Sequence, residues 1–276
     1  MKPSSHFVSS FDITIQLIVT GSPEFHDALQ QNSFWHEFVP AFQYTRISNP
    51  QMTWRVTEAP TLDYDMTNHA IQATVETVKK VVIIIEAMFE HMRQERSYYT
   101  MHGCVIVRNN TAVALIGNLS GIGKTTLASY ATSQEWDWIT DEKFTISDGE
   151  VIGGTSRILD DEKTRLSAGD VTPTPFTHAY PLALICQPIV TDETSIARFD
   201  MSLEKAYWTL YDEVTRDIRQ VNGVIDISLP ALQSLDTDAI SENRMRAIDT
   251  LTHAVPTTFL RGPTPLLLGE IEAILS

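Results

Sequence analysis

The stretch Asn118-Leu119-Ser120-Gly121-Ile122-Gly123-Lys124-Thr125-Thr126 decides how the rest of the chain is read. The apolar run Ala112–Ile116 precedes it and reads as a strand; Thr125–Thr132 follows it and reads as the start of a helix. A strand, a glycine-rich turn and a helix opening on lysine and a hydroxyl form a phosphate-binding loop. Gly121 and Gly123 let successive N–H groups converge on one concavity at the positive end of the helix, a setting that suits polyphosphate. Lys124 is then expected to reach the β- and γ-phosphates, and the Thr125 hydroxyl to sit on Mg²⁺. Asn118 stands where the general pattern has glycine, and asparagine tolerates the left-handed backbone better than other side chains. Asn118, Ser120, Ile122 and Thr126 complete the set expected to line the nucleotide. The plainer alternative is a Gly/Ser turn ahead of an ordinary helix.

Two further signals flank the loop. Downstream, Trp138-Ile139-Thr140 is a short apolar run that ends in Asp141-Glu142. Acids at a strand end can hold Mg²⁺ and can accept a proton from an attacking hydroxyl, so Asp141 and Glu142 join Thr125 as candidate metal ligands. The competing reading is a solvated acidic turn. Upstream, Met101–Val107 reads as a strand that turns at Asn109-Asn110 and returns through Ala112–Ile116 into the loop. That hairpin places His102 at the phosphate end of the sheet. Phosphoryl transfer needs positive charge beyond Lys124; Arg157, after Gly153-Gly154-Thr155-Ser156, is the first candidate, with Arg165 and Arg198 behind it. Trp54, Trp136 and Trp138 read as packing residues.

The order His102-Gly103-Cys104, hairpin, Ser120-Gly121-Ile122-Gly123-Lys124-Thr125, then Asp141-Glu142 resembles the catalytic core of the HPr kinase/phosphorylase family and its related serine kinases. That family has a His-Gly-Val strand, a Gly-x-Ser-Gly-x-Gly-Lys-Ser loop and a strand ending in Asp-Asp. The likeness spans Tyr98 to Ile152. It implies a mixed-sheet α/β fold around a phosphate-loop core, with ATP and Mg²⁺ as cofactors. It also implies Asp141 as catalytic carboxylate, Glu142 as its partner near the metal and His102 as the active-site histidine. Three departures stand out: Asn118 for the first glycine, Thr126 for the glutamate of the bifunctional enzymes, and Glu142 for the second aspartate. The arginine-rich signature of those enzymes is also missing. The differences argue against HPr as substrate and against the reverse reaction. They point toward the diverged kinases of peptide maturation, which phosphorylate lasso-peptide precursors.

Composition narrows the partners. With 276 residues the chain has room for one large domain or two small ones, and a hydrophobic fraction of 43% supplies ample core. A formal net charge of −15 argues against nucleic acid, whose phosphates need Lys/Arg clusters. Cys104 and Cys186 lie in apolar runs and read as buried thiols of a reducing cytoplasm. Met1–Ser10 has no secretory pattern, and the most apolar run, Val81–Phe89, is too short to span a bilayer and contains Glu86. No membrane partner is expected. A homo-oligomer is compatible with the sequence.

The remaining segments suggest a division at about residue 97. Residues 1–97 read as a β-rich region plus a long helix, a candidate for substrate or partner binding; residues 98–276 read as the catalytic domain. Strands are expected at Asp12–Val19, Gln43–Ser48 and Met52–Thr57, with a short helix within Pro23–Glu37. Asn68–Arg96 lacks Gly and Pro and reads as one long helix with Val75, Val78, Val82, Ile85 and Phe89 on one face. In the second half, Asp148-Gly149 marks a hairpin between Lys143–Ser147 and Glu150–Ile152. Asp160–Thr177 reads as an exposed loop, and Leu182–Cys186, Ser195–Phe199 and Thr257–Leu260 as strands. Ser202–Arg219, Asp238–Thr252 and Pro265–Leu275 read as helices, the first capped by Ser202 and the last by Thr264.

The leading expectation is therefore an ATP-dependent kinase acting on a Ser/Thr hydroxyl of a peptide or small protein. A small-metabolite kinase and a non-catalytic nucleotide-binding maturation protein stay open beside it. A transporter ATPase fits poorly, because the Leu-Ser-Gly-Gly-Gln signature does not occur.

Overall fold

The computed structural model describes residues 3–46, 49–117, 121–155, 176–219 and 235–276. The first half contains β1 (Ser4–Ser10), β2 (Ile13–Thr20), α1 (Pro23–Gln30), α2 (Phe34–Phe38), β3 (Phe42–Thr45), β4 (Met52–Glu58), β5 (Asp63–Asp65), β6 (Ala70–Ala73) and α3 (Val78–Glu95). Its strands form a mixed sheet in the order β3-β1-β2-β4-β6-β5, parallel at β2–β4 and β4–β6. Strand β2 shows why one face is buried: Ile13, Ile15, Leu17 and Val19 recur at the strand period and are at most 1% exposed. Helix α1 starts where Ser22 accepts a hydrogen bond from the Phe25 amide and Pro23 fills the first turn. Helices α1, α2 and α3 cover the sheet, and residues from Val8 to Met92 make one core.

The long helix expected over Asn68–Arg96 is shorter. Ala70–Ala73 is strand β6, pairing with β4 and β5, and a single 3₁₀ turn over Val75–Thr77 leads into α3. The reason is local: Thr74 and Thr77 form a reciprocal cap that starts the helical path there. Val78, Val82, Ile85 and Phe89 are buried as expected, while Val75 packs only partly.

The second half contains β7 (Tyr99–Arg108), β8 (Thr111–Ile116), α4 (Lys124–Thr132), β9 (Asp137–Thr140), β10 (Lys143–Ser147), β11 (Glu150–Gly154), β12 (Tyr180–Val190), β13 (Ala197–Asp200), α5 (Leu203–Thr215), α6 (Asp238–Ala254), β14 (Thr257–Gly262) and α7 (Thr264–Leu275). The strand order is β11-β10-β7-β8-β12-β14-β13, with β9 also against β7. Strand β12 runs parallel to β8 and β14; the other pairings are antiparallel. The chain is thus a mixed α/β protein with two mixed sheets.

Strand β7 is buried on both faces, which its near-continuous apolar run anticipates. Val105 and Val107 face Leu210 and Val214 of α5 and Ile248 and Leu251 of α6. Cys104 and Ile106 face Leu127 of α4 and Leu267 of α7. Both expected hairpins form: Asn109 and Asn110 take φ of 51° and 62°, and Asp148 and Gly149 take 49° and 78°. Ser202 caps α5 as expected, but that helix ends at Thr215. Thr264 proves to be the first helical residue of α7 rather than its cap, because Pro263 takes the extended cap position. Cys104 and Cys186 are buried thiols that form no disulfide, and Trp54, Trp136 and Trp138 pack in the core. Among the described residues no helix is long and apolar enough to cross a membrane.

Candidate functional site

Strand β8 delivers the chain to the phosphate-type loop at the edge shared with β12. Gly121 and Gly123 adopt φ of 79° and 97°, the left-handed backbone that a curled loop needs. Gly123 has a second reason to be glycine. A Cβ there would lie 2.3 Å from Val190 Cγ2, because the loop is pressed against the end of β12. The Val190 amide ties it down by donating to the Ile122 carbonyl at 2.9 Å.

Helix α4 then opens on Lys124, whose buried ammonium turns back over the loop and donates to the Gly117 carbonyl at 3.0 Å. Thr125 points inward, its hydroxyl donating to Asp141 Oδ1 at 3.4 Å. Thr126 lies on the exposed side of α4. Asn118, Ser120 and Arg157 lie outside the described residues, as does Arg165. Arg198 sits on the edge strand β13 and is forked onto Asp200, with a further bond to Glu270 at 2.9 Å. Those carboxylates take up its charge.

The carboxylates reach the loop through the register of β7. Strands β9 and β10 run along the same edge of β7 as one interrupted strand: Val105 opposes Thr140, and His102 opposes Lys143. Asp141 and Glu142 fill the gap, opposite Cys104 and Gly103. There the backbone makes a tight reversal. Glu142 has φ of 67°, and the Lys143 amide closes on the Asp141 carbonyl at 2.8 Å. This is a γ-turn of the positive-φ kind, which is rare and strained. The reversal aims Asp141 at the helix N-terminus, where Oδ1 accepts from both Thr125 and the Cys104 thiol, the latter at 2.6 Å. It aims Glu142 the other way, toward His102, whose Nδ1 lies 3.4 Å from Oε1.

Hydrogen bonds from Gly103 and Thr155 hold the turn. Gly103 N–H donates to the Glu142 carbonyl at 3.0 Å, Thr155 N–H donates to the Lys143 carbonyl at 2.9 Å, and the Thr155 hydroxyl donates to the Asp141 carbonyl. A Cβ on Gly103 would meet the Leu115 carbonyl oxygen at 2.2 Å, so only glycine lets β7 lie this close to β8 beside the turn.

His102 is a neutral imidazole. Burial, with the positive charges of Lys124 and Arg216 nearby, pulls its pKa down to about 3 against the opposing pull of Asp217. It can give or take a hydrogen bond at neutral pH but carries no charge.

The sequence reading missed several residues that gather here. Where β8 leaves β7 at Gly103–Ile116, the β7 edge at His102 is taken over by α5. Glu213 of α5 is 2% exposed, faces the His102 amide and lies within electrostatic reach of Lys124. Burial raises its pKa to about 7, even though Arg216, Lys124 and the His102 amide all favour its charge. Arg216 approaches it at 3.6 Å and places positive charge near His102. Cys104 could have been found, since it shares with His102 the alternate-residue face that meets α4. Glu213 and Arg216 carry no such signal, because an acid and a base three apart near a helix end look like a solvated pair.

The chain matches no protein-family model and no curated protein.

Proposed function

We propose that the protein is an ATP-dependent kinase with an HPr kinase-like phosphate-loop core, transferring the γ-phosphoryl group to a Ser/Thr hydroxyl of a peptide or small protein. The observation that carries this reading is the meeting of Thr125 and Asp141. The Thr125 hydroxyl, which follows a glycine turn and a buried lysine at a helix start, lies 3.4 Å from a carboxylate that a strained turn presents.

The residues fit the nucleotide. Left-handed Gly121 and Gly123 suit a turn whose amides converge on phosphate, and Lys124 is held by the Gly117 carbonyl, which a phosphate can replace. Among the described residues no three His, Cys, Asp or Glu side chains gather as a metal cage. Thr125 and Asp141 would hold Mg²⁺ together with phosphate oxygens, the usual sparse arrangement for this ion. Bound there, it neutralises charge on the transferring group.

In the reaction the acceptor oxygen bonds to the γ-phosphorus, the bond to the ADP oxygen breaks, and Asp141 takes the hydroxyl proton. Lys124 binds the phosphates, and neutral His102 with Glu142 borders the acceptor side. Arg216 supplies the second cation that Arg157 was expected to give.

The test is mass spectrometry of Ser/Thr-containing acceptor peptides after incubation with Mg-ATP. Lys124→Ala should abolish transfer, and Asp141→Asn should lower it by about 10²–10⁴-fold while nucleotide binding persists. Near-normal turnover in Asp141→Asn ends the assignment.

A further inference from the structure

We propose that Lys143 is a positioning residue for Asp141, and that a buried ion cluster supplied largely by α3 makes the first half of the chain part of the catalytic apparatus. The inference rests on the reading of Asp141 given above.

Lys143 is the last residue of the strained turn, and its side chain points away from the nucleotide loop. It runs into the seam between the halves of the molecule. Nζ donates to Asp217 at 2.7 Å and to Glu86 of α3 at 3.4 Å, and lies 3.6 Å from the ring centre of Phe38 in α2. Glu86 is in turn gripped by Arg93 at 2.6 Å, which also binds Glu90 at 2.9 Å and the Ser10 hydroxyl of β1 at 2.8 Å. Gln94 extends the chain of contacts, donating to Glu90 at 2.7 Å and to the Val214 carbonyl, beside Glu213, at 2.9 Å. Arg93, Glu90 and Gln94 are fully buried, and Glu86 and Lys143 are 2% exposed.

Such a cluster is a poor way to gain stability, because desolvating the ions offsets most of their attraction. What it does supply is geometry. The Lys143 Nζ is held by Asp217 on one side and Glu86 on the other. A charged amine fixed from two directions fixes the Cα that ends the γ-turn. A non-glycine residue at φ of 67° persists only where the surroundings over-determine it. The hydroxyls of Thr140 and Thr155 brace the turn from the core side; the ion cluster braces it from the other half of the chain. Releasing that brace lets Glu142 relax toward negative φ, which swings Asp141 off Thr125.

The experiment uses the full chain as wild type, Lys143→Met, Lys143→Arg and Glu86→Gln. Three quantities are read: hydrogen–deuterium exchange over residues 139–144, the Mg-ATP dissociation constant, and kcat for phosphoryl transfer. Lys143→Met and Glu86→Gln should speed exchange at the turn at least about tenfold and lower kcat about 10–100-fold, the loss that misplacement of a catalytic group brings. The nucleotide constant should stay within about threefold of wild type, since the phosphate loop is held by separate contacts. Lys143→Arg should restore most of both losses. A folded Lys143→Met or Glu86→Gln with wild-type exchange at the turn and unaltered kcat overturns the proposal. If Lys143→Met does not fold, Glu86→Gln decides alone. If wild type transfers no phosphoryl group to any acceptor, the kinase reading falls, while the exchange arm still decides whether the cluster holds the turn.

Discussion

Two turns beside strand β7 place non-glycine residues at positive φ, and they do so in opposite ways. Asn109-Asn110, joining β7 to β8, is exposed and uses asparagines, which bear the left-handed region at small cost. Asp141-Glu142, lying along β7, puts a glutamate at φ of 67° and surrounds it with buried ions, threonine hydroxyls and a close-packed glycine. The first turn is solved by its own residues. The second is imposed by the rest of the molecule, and it is the one that faces Thr125 at the start of α4. Strain that must be held from outside is strain with a use.

The largest effect that would sharpen this contrast is on stability. Arg93→Met leaves Glu86 and Glu90 buried without their guanidinium, which should cost about 3–5 kcal/mol in urea unfolding. Asn110→Ala, which forces alanine into the left-handed region, should cost only about 1–2 kcal/mol. If the two losses are equal, the ion cluster does not support its turn any more than the asparagines support theirs.

The next effect is read from pH. Glu213 borders the strained turn's side of the site. Its folded pKa of about 7 lies above the ordinary glutamate value of 4.5, so the folded protein binds more protons than the unfolded chain between those values. Stability contributed by Glu213 is therefore complete below about pH 4.5 and is lost as pH rises toward 7. Glu213→Gln should remove that decline and leave the variant about 2–3 kcal/mol more stable than wild type at pH 8, with near equality at pH 4.5. A wild-type stability curve that is flat from pH 4.5 to 7.5 would show that the carboxylate ionises freely in the cleft.

The same contrast explains what could be read from the sequence. Asn109-Asn110, Asp148-Gly149, Gly121 and Gly123 carry their conformations in their residue types, and the structure has them at positive φ. Strand β1 was passed over because Ser4, Ser5, Ser9 and Ser10 dilute its apolar alternation. The start of α3 was set too early because nothing in Asn68–Ala73 breaks a helix; pairing with β4 makes it a strand. The position of Asp141-Glu142 at a strand end was legible, but not the γ-turn, since glutamate has no preference for it. Least legible was the ion cluster. Glu86, Glu90 and Arg93 recur at helical spacing and look like a solvated stripe. The signal against that reading is that Ile83, Ile84, Ala87 and Met88 around them are apolar too, so α3 offers little face for water.

The smallest effect isolates the turn itself. Glycine at position 142 keeps φ of 67° without strain, so Glu142→Gly should raise stability by about 1 kcal/mol despite the extra freedom of the unfolded chain. Asn110→Gly should change stability by only a few tenths of a kcal/mol, because asparagine already accepts its φ of 62° and the bond lost to His178 is exposed. The stabilised Glu142→Gly variant should nonetheless transfer phosphoryl more slowly, because a glycine no longer commits the backbone to one aim for Asp141 and no longer reaches His102. Greater stability with weaker activity at 142, and neither change at 110, is the pattern expected of stored strain. If Glu142→Gly unfolds more readily than wild type, the carboxylate's contact with His102 outweighs the backbone cost, and the two turns differ in their side chains rather than in strain.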